Sequence, residues 1–345
     1  MRDEQETAGA LSSDSSLIPH PSSLRIVFMG TPESAVPTLR RCLADGHEVV
    51  AVWTQPDRPA GRGNKFAAPP VKRFALEHNL TVHQPEKIRT EEARALFESH
   101  AADVAVVVAY GRILPAPLLR APRRGCLNVH FSLLPKYRGA APVNWAIVRG
   151  ERETGVTTML IDEGLDTGHV LLQRATGIGD EETAPELLAR LAETGAELLG
   201  ETLARLDEIE PRPQRDEEAT HAPVLKREDG LVDWSLTAEE IGRGVRGFQP
   251  WPNAHTAFRG QRLVLWRAHA SGADGERVAG RPVGSDGADS HEPGEIVAAR
   301  GDDLVVACGG GTALRLIEVQ LEGKRRMSAR DFINGAHARA GERLV

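Results

Sequence analysis

Apolar runs and helical periodicity alternate through the first 206 residues of the chain. The apolar runs predict buried strands at 24–30, 47–55, 104–110, 125–131 and 154–161, and the periodic segments predict helices at 31–46, 74–79, 91–100, 142–150 and 186–206. Strands that alternate with helices predict an α/β fold built on a doubly wound, Rossmann-like parallel sheet. In such a sheet, functional sites form outside the carboxyl ends of the strands.

The pattern changes after residue 206. Residues 207–230 are charged and rich in proline, which predicts a linker, and residues 232–248 are partly helical. Short alternating segments follow at 254–258, 262–270, 294–300, 303–308 and 313–320, and they predict a small β-barrel. We therefore predict a disordered tail (1–23), an α/β domain (24–206), the linker (207–230) and a barrel domain (231–345) that carries a polar insertion at 271–294.

Composition excludes several classes of protein. The chain has 345 residues, of which 41% are hydrophobic and 26% charged, as in an ordinary soluble globular protein. No apolar run approaches the roughly 20 residues of a membrane helix, and the acidic start does not resemble a secretory signal. The 3 cysteines lie far apart, so we expect no zinc site and no disulfide framework, and we expect a cytoplasmic location.

The net charge of −7 means that any nucleic-acid binding must use a local basic patch. One candidate is the segment 55–66, in which Arg58, Arg62 and Lys65 are opposed only by Asp57. Such a segment is either a solvated surface loop or a loop that becomes ordered on phosphates. A second cluster runs from Lys324 to Arg326.

The candidate chemistry lies at the end of the strand predicted at 125–131. Asn128 and His130 alternate along it, so their side chains point the same way. An amide can hold a developing oxyanion, and an imidazole can transfer protons near neutral pH, although a histidine at a strand end can also be purely structural. Asp166 lies in a glycine-flanked loop and could fix the imidazole tautomer, with Asp162 as a competitor for that role.

Several segments together resemble the methionyl-tRNA formyltransferase family. They are GTPESAVPTLRRCL, TQPDRPAGRGNKF, VVVAYGRILP, NVHFSLLPKYRGAAP, ETGVTTMLIDEGLDTGHVL, VDWS, GFQPWPNAH and GKRRMSARDF, in order from about residue 24 to the C-terminus. The chain departs from the family pattern at Phe131, where a small residue is common, and in the insertion at 271–294.

The resemblance implies a formyltransferase domain that binds 10-formyltetrahydrofolate and an OB-like C-terminal barrel that contacts tRNA. It places Asn128, His130 and Asp166 at the catalytic positions, and Arg62 in a loop that enters the acceptor end of tRNA. The residues that it implies for cofactor binding are Ser132, Leu133, Leu134 and Pro135, and those for tRNA binding are Arg58, Arg62 and Lys65. It implies no metal and no membrane partner, and we expect a monomer.

The function implied by the resemblance is transfer of a formyl group to the α-amine of methionine on initiator tRNA, for translation initiation. One alternative is a formyltransferase that acts on a small amine, such as an amino sugar or glycinamide ribonucleotide. Two further alternatives are an RNA-binding protein with an inactive transferase domain, and a folate sensor or hydrolase that releases formate. The basic segment and the predicted barrel favour the tRNA enzyme over the small-amine enzyme and the folate hydrolase. The intact Asn128, His130 and Asp166 argue against an inactive transferase domain.

Overall fold

A seven-stranded sheet forms the centre of the N-terminal half in the computed structural model of the chain, which describes residues 23–60, 65–271 and 291–345. The strands of this half are β1 (Arg25–Gly30), β2 (Glu48–Trp53), β3 (Arg58–Ala60), β4 (Lys65–Ala67), β5 (Val82–His83), β6 (Val104–Val108), β7 (Cys126–His130), β8 (Arg138–Gly139), β9 (Glu153–Leu160) and β10 (Val170–Gly177). The helices are α1 (Val36–Ala44), α2 (Pro70–Glu77), α3 (Glu91–Ser99), α4 (Ala116–Arg120), α5 (Pro142–Val148) and α6 (Ala184–Ala204).

The sheet has the strand order β10-β9-β7-β6-β1-β2-β5. Pairing is parallel from β7 to β5, whereas β9 and β10 are antiparallel to their neighbours. The doubly wound sheet predicted from the sequence is confirmed, but β9 does not continue the parallel pattern, and β10 was not predicted. Because β9 runs antiparallel to β7, it begins at the end of the sheet where β7 finishes. The connection between these two strands, which contains α5, therefore does not have to return to the other end of the sheet.

Hydrophobic residues cover both faces of the parallel strands. On β1, Ile26 and Phe28 belong to one core cluster, which also contains Leu187 of α6, whereas Val27 and Met29 belong to a second cluster on the opposite face. Successive side chains of a strand point to opposite faces, so a run of apolar residues is what a strand buried on both sides requires. Helices on both faces leave the strand ends as the accessible edge.

The C-terminal half is a separate antiparallel sheet with its own core. After β11 (His221–Ala222), its elements are α7 (Ala238–Gly247), β12 (His255–Phe258), β13 (Gln261–Ser271), β14 (Ile296–Arg300), β15 (Asp303–Ala307), β16 (Ala313–Leu321), β17 (Met327–Ser328) and α8 (Ala329–Ala336). The strand order is β12-β13-β16-β15-β14, with β17 beside β16. Phe258 bridges to Leu344 and Glu295 bridges to Arg343, so the C-terminal residues connect the two edges of this sheet. Closure into a full OB-like barrel stays a prediction.

The two halves contact each other through α5 and α7. The amide nitrogen of Asn144 donates to the carbonyl oxygen of Gly247 at 2.7 Å, and the rings of Trp145 and Phe248 meet edge to face with centroids 5.9 Å apart. Residues 1–22 of the predicted tail and 272–290 of the predicted insertion lie outside the described residues. Across the ranges that the structure describes, no helix has the length and apolar character needed to cross a membrane.

Candidate functional site

A cavity of about 750 Å³ opens at the carboxyl ends of β6 and β7, the edge at which the sequence predicts a site. Its wall includes Asn128, His130 and Asp166, so the structure brings the three predicted catalytic residues together. Apolar side chains form much of the remaining wall; among them are Val107, Ile113, Leu114, Met159 and Ile161. A mostly apolar cavity with a few converging polar groups is typical of a small-molecule site.

The Asp166 carboxylate lies between three potential hydrogen-bond donors. Its Oδ2 accepts from the backbone nitrogen of Gly139 at 2.9 Å and lies 3.7 Å from Nδ1 of His130. Its Oδ1 lies 3.5 Å from Nδ2 of Asn128. Asp166 has a φ of 54°, in the left-handed region that non-glycine residues rarely adopt, so the loop needs outside contacts to hold this conformation.

Asp162 has a different role from Asp166. Its Oδ1 accepts from the backbone nitrogen of Gly164 at 3.0 Å and from the hydroxyl of Thr167 at 2.7 Å. These bonds close the local turn of the loop, as an aspartate often does. The geometry therefore places Asp166, and not Asp162, beside His130.

The contacts of His130 define its tautomer. The ring is almost fully buried, and Nε2 lies 2.9 Å from the carbonyl oxygen of Tyr137. A carbonyl oxygen can only accept a hydrogen bond, so Nε2 carries a proton. In the neutral ring Nδ1 is then the unprotonated nitrogen, and it is the nitrogen near Asp166. His130 can take up a proton at Nδ1 and, once charged, can donate that proton again.

Neighbouring phenols do not supply acid–base chemistry near neutral pH. Burial raises the pKa of Tyr110 to about 12. Burial, reinforced by the hydrogen bond from the Tyr137 hydroxyl to Glu151, likewise raises the pKa of Tyr137 to about 12. Both side chains stay neutral, and His130 is the imidazole that the structure places beside the Asp166 carboxylate. No metal-binding cluster of histidine, cysteine and acidic residues occurs within the described ranges.

The predicted cofactor-binding residues Ser132, Leu133, Leu134 and Pro135 do not lie on the wall of this cavity. The Ser132 hydroxyl donates to the carbonyl oxygen of Lys136 at 2.6 Å, and Leu134 packs with Met159 and Val170. Further hydrogen bonds join this segment to β9 and β10, since Thr157 donates to the carbonyl oxygen of Ser132 and Gln173 donates to that of Leu134. Direct contact of these four residues with the folate stays a prediction. The ring of Phe131 packs into the core with α6.

The basic segment forms a small hairpin next to this cavity. Strands β3 and β4 pair antiparallel, so Arg58 and Lys65 lie on regular backbone rather than in a fully irregular loop. Arg62 falls in 61–64, outside the described residues. Arg58 lines a neighbouring cavity of about 520 Å³, and this cavity shares Ala109, Tyr110 and Gly111 with the catalytic one. The hairpin therefore adjoins the site through this shared wall.

Residues of the predicted linker also belong to the site, which the sequence did not indicate. His221, Ala222, Pro223 and Val224 line the cavity. The amide nitrogen of Gln214 donates to the carbonyl oxygens of Asp166 and Gly168, at 2.8 and 2.7 Å respectively. A proline-rich, charged stretch with no periodicity gave no local signal for such contacts.

Comparisons with known proteins agree with this geometry. The family described as formyl transferase matches residues 24–203, and the family described as formyl transferase, C-terminal domain, matches residues 224–337. A protein named methionyl-tRNA formyltransferase from Koribacter versatilis is 51% identical over 322 residues, which cover 92% of this chain and 98% of that protein. One of the same name from Geobacter sulfurreducens is 47% identical over 325 residues, which cover 94% of this chain and 97% of that protein.

Solved structures show the same fold at low sequence identity. HypX from Aquifex aeolicus in complex with tetrahydrofolic acid matches with a TM-score of 0.59 and 18% identity, covering 91% of this chain and 48% of HypX. An N-formyltransferase from Helicobacter canadensis, in complex with folinic acid and dTDP-3-aminofucose, matches with a TM-score of 0.59 and 17% identity, covering 85% of this chain and 98% of that one. These likenesses bear on the fold alone.

Proposed function

We infer that this chain, which belongs to the methionyl-tRNA formyltransferase family, transfers the formyl group of 10-formyltetrahydrofolate to the α-amine of methionine on initiator tRNA. The observation that carries the inference is the convergence of Asn128, His130 and Asp166 at one cavity. The cavity fits the donor, since its apolar wall suits an aromatic pterin and its polar groups suit the reacting end. We propose that the enzyme acts as a monomer in the cytoplasm, where translation begins.

The reaction forms a bond between the amine nitrogen and the formyl carbon, and it breaks the bond between that carbon and N10 of the folate. Attack produces a tetrahedral intermediate with an oxyanion. Asn128 Nδ2 has two N–H groups, and only one of them is needed for Asp166, so the other can donate to the oxyanion. An aminoacyl α-amine is partly neutral at pH 7, so a weak base suffices.

His130 manages the proton that the amine loses. Its unprotonated Nδ1 accepts the proton and returns it to N10 as tetrahydrofolate leaves. The imidazolium that forms between the two steps lies 3.7 Å from the Asp166 carboxylate, which stabilises the positive charge. Acyl transfer of this kind balances without a metal or a redox partner.

Purified protein supplied with 10-formyltetrahydrofolate and Met-tRNA tests the proposed function. We expect formylmethionyl-tRNA to accumulate, resolved from Met-tRNA by acid gel electrophoresis, and to be absent when the folate is omitted. Release of formate without formylation of the tRNA would contradict the proposal and would favour the hydrolase alternative.

Arg58, Arg62 and Lys65 are proposed to contact the phosphates of the acceptor end. Arg62→Leu should raise KM for Met-tRNA or lower kcat/KM by about tenfold or more, because a lost phosphate contact weakens RNA binding and a small acceptor could not replace it. Folate affinity should be nearly unchanged. The measurement is kcat/KM on Met-tRNA beside the dissociation constant for the folate.

Two further variants sharpen the test of the hairpin. Arg62→Lys should recover only part of the loss, because lysine lacks the planar fork of arginine. Arg94→Leu, which removes an exposed arginine of α3 that pairs with Glu98, serves as the matched control for lost surface charge. Equal losses in kcat/KM and folate affinity for Arg62→Leu would mean that the hairpin only supports the folate cavity.

A surface around Trp251 on the C-terminal domain is proposed as a second RNA contact. Trp251 is 53% exposed and lines a cavity of about 320 Å³ with Trp266 and Arg227. The guanidinium carbon of Arg326 lies 3.6 Å from the centre of the Trp266 ring. Arg227 follows the catalytic-cavity residue Val224 by three positions, a span of at most about 11 Å. Aromatic rings beside arginines are typical of surfaces that stack unpaired bases.

Trp251→Ala should raise KM for Met-tRNA by about five- to tenfold while leaving kcat at saturation unchanged, since base stacking contributes about 1–3 kcal/mol. Trp251→Phe keeps an aromatic face and should behave nearly like the wild type. Steady-state kinetics on full-length tRNA provide the measurement. An unchanged KM for Trp251→Ala would remove this surface from the RNA interface.

A further inference from the structure

The chain between the two domains passes directly across the catalytic loops. We call residues 212–222 the strap. At its start, Arg212 exchanges backbone hydrogen bonds with Val170, at 2.8 and 2.9 Å. At its end, β11 pairs in parallel with β8, the short strand that follows β7 and its terminal residue His130. The strap is thus fixed at both ends to the framework of the catalytic site.

Gln214 joins the loop of Asp166 to the turn at Arg138. Its amide nitrogen donates to the carbonyl oxygens of Asp166 and Gly168, and its Oε1 accepts from Nε of Arg138 at 3.0 Å. Arg138 is buried, and its charge is also paired with Asp216 of the strap at 2.8 Å. One neutral side chain therefore holds the backbone of Asp166 and of Gly168, two positions later, beside the carboxylate that faces His130.

Thr220 holds the other side of the site. Its hydroxyl oxygen accepts from the backbone nitrogen of Tyr137 at 2.8 Å, and the carbonyl oxygen of Tyr137 is the partner of His130 Nε2. Tyr137 has a φ of 62°, so it too adopts a left-handed backbone that needs support. At Gly139, with a φ of 122°, an added Cβ would lie 2.5 Å from the carbonyl oxygen of Ala222, which shows how closely the strap approaches.

We propose that Gln214 and Thr220 are positioning residues, which set the placement of Asp166 and His130 for formyl transfer. Asp166 and Tyr137 both have a left-handed backbone conformation. Gln214 hydrogen-bonds to the backbone of Asp166, and Thr220 hydrogen-bonds to the backbone of Tyr137. Neither Gln214 nor Thr220 lies on the wall of the catalytic cavity. They act through Asp166 and through the Tyr137–His130 hydrogen bond. The proposal rests on the proposed function, because it concerns the rate of the same reaction.

Gln214→Met keeps the length of the side chain but removes its donor and acceptor. We expect kcat on Met-tRNA to fall by about ten- to a hundredfold, since small misplacements of reacting groups cost rates of this order. KM for Met-tRNA should stay within about twofold, because Gln214 lies outside the surfaces proposed for RNA. Gln214→Glu should lose a similar factor, because a carboxylate cannot donate to two carbonyl oxygens.

Thr220→Val and Thr220→Ser provide an independent pair. Valine has the shape of threonine without the acceptor, so kcat should fall by about tenfold, whereas serine keeps the hydroxyl and should restore most of it. Glu218→Gln is the control in the same segment, since Glu218 pairs with Arg215 at the surface. Melting temperatures of all variants show whether a loss reflects unfolding.

A kcat near that of the wild type in Gln214→Met and Thr220→Val would overturn the proposal. So would losses that follow the melting temperature, a rise in KM for tRNA that accounts for the loss, or a failure of Thr220→Ser to recover activity. The wild-type chain must formylate Met-tRNA in the same assay. If the wild type does not, the proposed function fails, and that outcome is distinct from a strap that has no effect on rate.

Discussion

His130→Ala should lower kcat for the formylation of Met-tRNA by about 10²–10³-fold while the protein stays folded. The substitution removes the imidazole that is proposed to accept the proton of the amine at Nδ1, beside Asp166, while Tyr110 and Tyr137 are held neutral by burial. It also leaves the carbonyl oxygen of Tyr137 without its partner. Single-turnover rates with saturating folate and tRNA report the loss directly.

Asn128→Ala should cause a loss of the same order, because an oxyanion donor is removed while His130 remains. Circular dichroism and melting temperature serve as controls for folding in both variants. Rates near those of the wild type in either variant, measured on Met-tRNA, would remove that residue from the catalytic set.

Asp166→Asn should lower kcat by about 10²-fold or more, with the shape of the site retained. The asparagine oxygen can still accept from the backbone nitrogen of Gly139, so the loop keeps its position. The negative charge that stabilises the His130 imidazolium is lost, and the amide can present an N–H where the carboxylate accepted. The loss should therefore appear in kcat more than in KM.

Asp162→Asn is the matched comparison, since it removes a carboxylate from the same loop and the same cavity wall. Its oxygens close the local turn with Gly164 and Thr167, at a distance from His130. We expect a smaller loss than for Asp166→Asn. A larger loss for Asp162→Asn would show that the wrong carboxylate has been assigned to the site.

The alternation of strands and helices was sufficient to predict the doubly wound sheet. The buried strands β1 and β6 are nearly continuous apolar runs, and such runs identify central strands clearly. The strand β10 was missed because exposed residues alternate with partly buried ones over most of its length, so it resembles a surface segment in the sequence. Helix α2 begins at Pro70, four residues before its predicted start. The start was missed because a proline in the sequence suggests a helix break, although proline is also common at the first helical position.

The placement of Asn128 and His130 at one cavity was predictable, because strand alternation alone puts both side chains on one side of β7. The choice between Asp162 and Asp166 was not, because it depends on a left-handed backbone at Asp166 that no residue type specifies. The side chains of Ser132 and Leu134 pack within the protein, so their predicted contact with the folate stays a prediction. Local sequence predicts which residues are near the strand end, but the loop conformations decide which of them face the cavity.

The strap shows the limit of composition as a guide. Its charge and proline content are those of a free linker, yet Gln214 and Thr220 bond to backbone groups more than 40 residues away in sequence. Contacts between a side chain and a distant backbone leave no periodic signal. Only the folded arrangement shows that the connection between the domains contacts the Asp166 loop and lines the cavity at the end of β7.

The partition of one labelled formyl group among competing acceptors tests the central claim most directly. The protein is incubated with labelled 10-formyltetrahydrofolate and equal concentrations of Met-tRNA, glycinamide ribonucleotide and an amino sugar, and each product is separated and counted. We expect the label on Met-tRNA, and we expect His130→Ala to remove it. Label on glycinamide ribonucleotide or on the amino sugar in place of Met-tRNA would contradict the assignment of the acceptor.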